Sequence, residues 1–131
     1  MISNLRFRIH YWPNDVVDLY FEYNKGLVSY TGSIEDPLFL DRKFEGTLRQ
    51  KSTAFVEDLE AVGLASFREV YNSTTSGHYD WKMTWQERGE KPRHAQGKDA
   101  APETFGQLIA LLQEAVPEAA EDLAKWSTYA L

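Results

Sequence analysis

The stretch HYDWKMTWQE, residues 78–87, decides the fold class because it alternates strictly between two kinds of side chain. One set of alternating positions holds Tyr79, Trp81, Met83 and Trp85, whereas the positions between them are mostly polar. A period of two residues indicates a β-strand that is buried on one face only. The turn ERGEKP follows, and residues 92–97 offer a short return strand. The stretch therefore predicts a tryptophan-bearing hairpin.

The N-terminal third carries the same alternation. Residues 5–11, LRFRIHY, predict a first strand, and WPND at 12–15 is typical of a turn. A second strand over 16–23, the turn NKG at 24–26 and a third strand, LVSYTGS, complete an antiparallel meander. Next, IEDPLFLDRKF is interpreted as a loop with an apolar centre at Leu38, Phe39 and Leu40. This centre either packs over the sheet, which is the favoured interpretation, or forms an exposed surface for a partner.

Two later segments have apolar residues at the spacing of a helix instead of the alternation of a strand. Phe55, Leu59 and Val62 predict a helix over 52–62, capped by Ser52 or Thr53, and a second helix starts near Pro102. A short final helix is predicted over EAAEDLAKW. The expected fold is one α+β domain over residues 1–131. It has an antiparallel sheet of four to six strands with two or three helices packed on one face. The alternative is two half-barrel-like sheets with peripheral helices.

Composition narrows the possible functions. The chain of 131 residues has a formal charge of −6, and all the excess acid lies in residues 52–131. This excess of acidic residues disfavours nucleic acid as a partner, because a phosphate backbone needs clustered basic side chains. The absence of cysteine excludes disulfides and thiol chemistry. The N-terminus lacks the apolar core of a signal peptide, and the longest apolar run, LIALL, is too short to span a membrane, so we expect a cytoplasmic protein without a membrane partner.

No pattern of catalytic or ligating residues stands out. His10, His78 and His94 do not have a metal-ligand spacing, so we expect neither a metal nor another cofactor. His78 and Asp80 share one strand face and suggest a hydrolase-type enzyme, although the polar face of a one-sided sheet explains both residues. No glycine-rich nucleotide motif and no Gly-x-Ser-x-Gly elbow occurs.

Two features invite a binding interpretation. GKDAAPETF, residues 97–105, could hold an anion at a helix start, but the carboxylates of Asp99 and Glu103 favour a turn that only caps the helix. The sheet aromatics Tyr20, Trp81 and Trp85 could line a pocket for a small ligand. Tyr20, Tyr30 and Trp12, with Arg6 and Arg8 beside them, could stack single-stranded bases, but the net acidity disfavours that use.

From residue 52 onward, the order of features resembles a family of small bacterial α+β domains. The residues that carry the resemblance are Phe55 and Leu59, GL at 63–64, Phe67, Tyr71, YDWKMTW, RG at 88–89, Gly97 and AAPETFGQLIALL. The family more often has tryptophan at the position of Phe67 and asparagine at that of Asp99. These are packing motifs, and such domains have no settled activity, so the resemblance implies a fold and no catalytic residues.

The favoured function is therefore a non-enzymatic protein-binding or regulatory domain, of the immunity-protein or inhibitor type. Its partner surface is expected on the acidic helices or on the loop that contains Leu38, Phe39 and Leu40. Two alternatives stay open, namely a small-ligand-binding domain that uses the sheet aromatics and an enzyme that uses His78 and Asp80.

Overall fold

The computed structural model describes residues 1–12, 15–36, 41–73 and 77–129, without the side chain of Tyr129. These residues form one sheet of seven strands. The strands are β1 (Ile2–Tyr11), β2 (Asp15–Asn24), β3 (Leu27–Glu35), β4 (Arg42–Thr47), β5 (Val70–Asn72), β6 (Tyr79–Glu87) and β7 (Arg93–Lys98). Their spatial order is β4-β3-β2-β1-β6-β7-β5. β5 pairs with β7 in parallel, and the other neighbours are antiparallel.

The α+β class is confirmed, but the expected sheet of four to six antiparallel strands is wrong. β4 lies within and just beyond the segment that the sequence indicates as a loop, and it forms the edge of the meander beside β3. β5 has only three residues, too few for alternation to be recognised, and its parallel pairing makes the sheet mixed. The alternative of two half-barrel-like sheets is also wrong, because the described strands form a single sheet.

One face of this sheet, here called the covered face, carries the hydrophobic core. It presents the alternating apolar side chains of β1, β2, β3 and β6, and Trp81 and Trp85 are each only 1% exposed. Aromatic contacts join it to the helices: the rings of Phe7 and Trp81 lie 5.9 and 4.8 Å from Phe105. Burial of this apolar surface is the main favourable term in folding.

The described residues also form four short α-helices, one between β4 and β5 and three after β7. They are α1 (Ser52–Ala61), α2 (Phe105–Ala115), α3 (Ala120–Ala124) and α4 (Trp126–Tyr129). The predicted first helix is confirmed, and it stops before Gly63, whose φ of 83° favours glycine. The predicted cap is wrong: the Ser52 hydroxyl accepts the Val28 N–H at 2.9 Å and so ties α1 to β3. α2 begins at Phe105 and not near Pro102, because the Phe105 N–H closes a turn onto the Pro102 carbonyl at 3.0 Å.

GKDAAPETF forms the corner between β7 and α2. Asp99 has a φ of 53°, and its Oδ1 accepts the backbone N–H groups of His78 at 2.6 Å and Tyr79 at 3.2 Å. The Trp81 indole donates to the Ala100 carbonyl at 2.9 Å, and a Cβ on Gly97 would collide with both of these groups. Asp99 therefore uses its carboxylate within the corner, which supports the interpretation of this stretch as a structural turn.

Candidate binding face of the sheet

The second face of the sheet, here called the open face, carries the polar residues that alternate with the core. None of the described helices packs on it, because α1, α2 and α3 contribute their buried residues to the core of the covered face. The open face carries most of its carboxylates on one side, and the exposed Lys43 of β4 lies among them. Its acidic side lies on β2, β3 and β4 and carries the carboxylates of Asp18, Glu22, Glu35 and Glu45.

Three exposed cations, Arg8, Lys82 and Lys98, form what we call the basic strip on β1, β6 and β7. Arg8 and Lys82 are directly opposite each other in the register of β1 and β6. The Cβ atoms of such a pair lie about 5 Å apart, and like charges in that position are destabilising. None of the three forms a salt bridge with any residue in the described part of the chain.

Arg6 shows how a cation on the same strand is neutralised. Its guanidinium binds the Asp18 carboxylate through two hydrogen bonds, from Nε at 3.2 Å and from Nη2 at 2.9 Å. This bidentate pair bridges β1 and β2 at the boundary between the acidic side and the basic strip. Asp18 lies directly opposite Arg8 in the register of β1 and β2, but its carboxylate binds Arg6 and forms no salt bridge with Arg8.

A recess of about 340 Å³ opens beside the basic strip. We call it the Trp12 recess; its lining includes the side chains of Trp12, Asn72, Asp80, Lys82, Gln96 and Lys98. The register explains why they meet: Asn72, Lys98, Asp80 and His10 are successive partners across β5, β7, β6 and β1. Gln96 and Lys82 form the next row, about 7 Å away along the strands.

Trp12 is 47% exposed, yet its indole is fixed in place. Its backbone N–H donates to the His78 carbonyl at 2.8 Å, and its Nε1–H donates to Asp80 Oδ2 at 3.0 Å. Its ring lies against the His10 imidazole, with 4.9 Å between the centroids. The exposed indole is therefore held by contacts on two neighbouring strands.

In the structure, Asp80 does not pair with His78, the histidine predicted for a hydrolase, but lies near His10. Asp80 Oδ2 lies 3.5 Å from His10 Nδ1 on the neighbouring strand, whereas the backbone N–H of the exposed His78 is held by Asp99. A separation of 3.5 Å is longer than a well-formed hydrogen bond. Asp80 also accepts the Trp12 indole N–H, and this contact gives it a structural role.

The three aromatics predicted to line a ligand pocket are not brought together. Trp81 and Trp85 lie in the core of the covered face, each 1% exposed. Tyr20 lies on the acidic side of the open face, in a second recess of about 570 Å³ that also contains Glu22, Glu45 and Arg49. Burial, with a smaller effect of Glu22, raises the pKa of the Tyr20 hydroxyl.

The proposed partner residues Leu38, Phe39 and Leu40 lie outside the described residues. The acidic helices, the other predicted partner surface, contain a groove of about 200 Å³ between α1 and α2. Part of their charge is already neutralised. Asp122 faces Arg42 at 3.0 Å and Lys125 at 3.8 Å, and Glu118 accepts the Tyr30 hydroxyl at 2.8 Å.

The helices and carboxylates suggest neither a membrane span nor a metal centre. Among the described residues, no helix is long and apolar enough to cross a membrane, and no group of three or more histidine, aspartate and glutamate side chains is arranged to hold a metal ion. No protein-family model matches the sequence, and no curated protein is similar to it. Geometry and charge therefore have to carry the functional inference.

The sequence predicts Trp12 and Arg8 as members of one polar surface, but it does not predict the basic strip or the Trp12 recess. Arg8, Lys82 and Lys98 are far apart in the chain and become neighbours only because β1 pairs with β6. A signal for Trp12 does exist, since it directly follows the first strand and precedes a proline. That signal identifies an exposed aromatic at a strand end but not the carboxylate that holds it.

Proposed function

We propose that this protein is a non-enzymatic binding domain that docks an acidic segment of a protein partner on the open face of its sheet, against the basic strip. The observation that carries the proposal is the Arg8–Lys82 pair. Two cations occupy directly opposite positions on a face that no described helix covers, and no described carboxylate forms a salt bridge with either of them, although Asp18 lies opposite Arg8 on β2. Carboxylates from a partner would relieve this repulsion and gain charge-assisted hydrogen bonds.

The net negative charge of the chain strengthens the case for the basic strip as a binding surface. With a formal charge of −6, the molecule has an excess of carboxylates, yet none of those described has an oxygen within 4 Å of a side-chain nitrogen of Arg8, Lys82 or Lys98. The neighbouring Arg6 has such a partner in Asp18. Lys82 and Lys98 have diagonal positions on β6 and β7, so the three cations form one patch. Electrostatic complementarity of this kind mainly contributes specificity and association rate.

A protein partner fits this face better than a nucleic acid. Single-stranded nucleic acid binds along a basic groove with aromatic platforms under successive bases. Here Tyr20 lies on the acidic side beside Glu22 and Glu45, and Tyr30 lies on the covered face. A phosphate backbone crossing the sheet would meet those carboxylates, whereas a short acidic peptide segment can stay within the basic strip.

The test uses a short fluorescent peptide of alternating glutamate and serine, with an oligothymidylate of matching length as the competing probe. Arg8→Glu and Lys82→Glu are each expected to weaken peptide binding about tenfold at low ionic strength, and added salt should weaken the wild-type complex. Lys51→Glu is the matched control, because it makes the same charge change beside α1. We expect its affinity to stay within about twofold of wild type.

Three outcomes would overturn the proposal. The first is a wild-type protein that does not bind the peptide at low ionic strength. The second is an equal loss of affinity in Lys51→Glu, which would assign the effect to net charge. The third is tighter binding of the oligothymidylate that is abolished by Lys82→Glu, which would make the basic strip a nucleic-acid site.

A further inference from the structure

The geometry points to a second, more local activity of the open face: the Trp12 recess binds a small planar anion. Its ring would lie on the Trp12 indole, and its carboxylate or phosphate would lie between the ammonium groups of Lys82 and Lys98. This inference does not rest on the proposed protein partner, although both use Lys82 and Lys98. It concerns a ligand that enters the recess of about 340 Å³ on its own or as the terminal group of a larger molecule.

The first support is the state of Trp12. A large side chain that is 47% exposed has no packing role that requires a fixed orientation, yet this indole is held by Asp80 and His10. Its outer face is therefore presented to the recess at no further cost in side-chain entropy. Aromatic surfaces fixed in this way are suited to stacking planar ligands such as nucleobases.

The second support is the set of polar groups in the recess. Lys82 and Lys98 bring two cations without a salt-bridge partner among the described residues, and Asn72 and Gln96 add two exposed amides. Lysine ammonium groups act as point charges for carboxylate and phosphate, and amides supply directional donors and acceptors. The recess therefore offers charge, direction and a stacking surface within one small volume.

Asp80 provides a variant in which the affinity for the anion should increase. It lies directly opposite Lys98 in the register, but its Oδ2 is directed to Trp12 and His10, and it forms no salt bridge with Lys98 among the contacts of the described chain. Its negative charge repels an anionic ligand while its oxygen holds the indole. Asp80→Asn keeps an oxygen that can accept the indole N–H and removes the charge, so it should bind the anion more tightly than wild type.

The experiment compares four probes. Adenosine 5′-monophosphate and indole-3-acetate each join a ring to an anion, whereas adenosine has only the ring and inorganic phosphate only the charge. The readout is the shift of the Trp12 indole N–H resonance, assigned from its absence in Trp12→Phe. We expect adenosine 5′-monophosphate to bind at least about tenfold more tightly than adenosine or inorganic phosphate, because stacking and charge act together. A preference between the two joined probes tells whether the recess takes phosphate or carboxylate.

Variants then locate the site, and their affinities are measured by isothermal titration calorimetry because Trp12→Ala lacks the indole resonance. Trp12→Ala and Lys98→Ala should each weaken the preferred probe about tenfold, whereas Leu27→Ala, which removes an exposed apolar side chain at the opposite end of the sheet, should not change it. Near-ultraviolet circular dichroism from the buried tryptophans verifies that each variant is folded. Equal affinity in Trp12→Ala and wild type, weaker binding by Asp80→Asn, or equal affinity for adenosine and its monophosphate would each overturn the inference.

The two proposals can fail separately. Trp12→Ala retains the basic strip, so it should still bind the acidic peptide even though it loses the small anion. If wild-type protein binds the peptide but none of the joined probes, the recess inference is wrong and the binding-domain proposal stands. If it binds a joined probe but not the peptide, the opposite conclusion follows.

Discussion

The same strands form both faces of the sheet, but the covered face is apolar and buried, whereas the open face is polar and exposed. On β6, Trp81 is 1% exposed and packs against Phe105, whereas the next residue, Lys82, is exposed and faces another cation. On β1, Phe7 and Arg8 show the same division. The covered face contributes apolar burial, which stabilises the fold, and the open face carries the basic strip, which forms no salt bridge among the described residues. We therefore predict that substitutions one residue apart change either stability or the proposed binding.

The largest effect should come from breaking the covered face. Trp81→Ala removes a fully buried indole that contacts Tyr71 and Phe105 and donates to the Ala100 carbonyl, so we expect a loss of about 3–5 kcal/mol in the free energy of unfolding. Lys82→Ala should change it by no more than about 0.5 kcal/mol. Urea denaturation monitored by circular dichroism compares the two. A large loss in Lys82→Ala would mean that the open face is covered.

The corner at Asp99 should give the next largest effect. Asp99→Ala removes the acceptor of the His78 and Tyr79 N–H groups at a residue with positive φ, so we expect a loss of about 1–3 kcal/mol. Asp99→Asn keeps an acceptor oxygen and tolerates this backbone conformation, so it should retain most of the stability. The same denaturation experiment measures both variants. Similar losses in the two would show that the carboxylate charge matters and not its hydrogen bonds.

Tyr30 offers a pH-dependent test of the covered face. Burial, with a further contribution from the hydrogen bond to Glu118, raises the pKa of the Tyr30 hydroxyl to about 12. Because the folded-state pKa lies above the usual tyrosine value of 10.0, this contribution to stability is complete below pH 10 and is lost as the pH rises toward 12. Tyr30→Phe should cost about 1 kcal/mol at neutral pH. Its difference from wild type should shrink in urea titrations above pH 10; a constant difference would contradict the assignment.

The smallest effect should come from the open face, with the opposite sign. Lys82→Glu replaces the Arg8–Lys82 repulsion with an attraction across β1 and β6, so we expect a gain of about 0.2–1 kcal/mol that decreases with added salt. The same variant should lose affinity for the acidic peptide. Thermal unfolding at low and high ionic strength provides the measurement. A destabilised Lys82→Glu would show that Lys82 contributes to folding, and the two faces would then no longer be independent.

The sequence predicts those parts of the fold in which alternation and burial coincide. β1, β2, β3 and β6 can be identified because buried side chains occur at every second position. β4 is not predicted because it is an edge strand with no fully buried residue. β5 is not predicted because it has only three residues. The pairing of β1 with β6 joins segments about 75 residues apart, and no local pattern encodes it.

The candidate site was less predictable than the fold for the same reason. Alternation identifies Arg8 and Lys82 as polar-face residues but does not indicate that they are neighbours. Asp80 was correctly placed on the polar face, yet its nearest imidazole is His10 from another strand and not His78. Sites assembled across strands depend on register, and register is fixed by non-local pairing.

The most direct test of the basic strip as the binding surface is a titration of the amide ¹H–¹⁵N spectrum of the wild-type protein with the acidic peptide. We predict that the largest shifts fall on β1, β6 and β7 around Arg8, Lys82 and Lys98, and that α1 and α2 stay unchanged. Binding that shifts the helices and leaves these three strands unchanged would contradict the proposal.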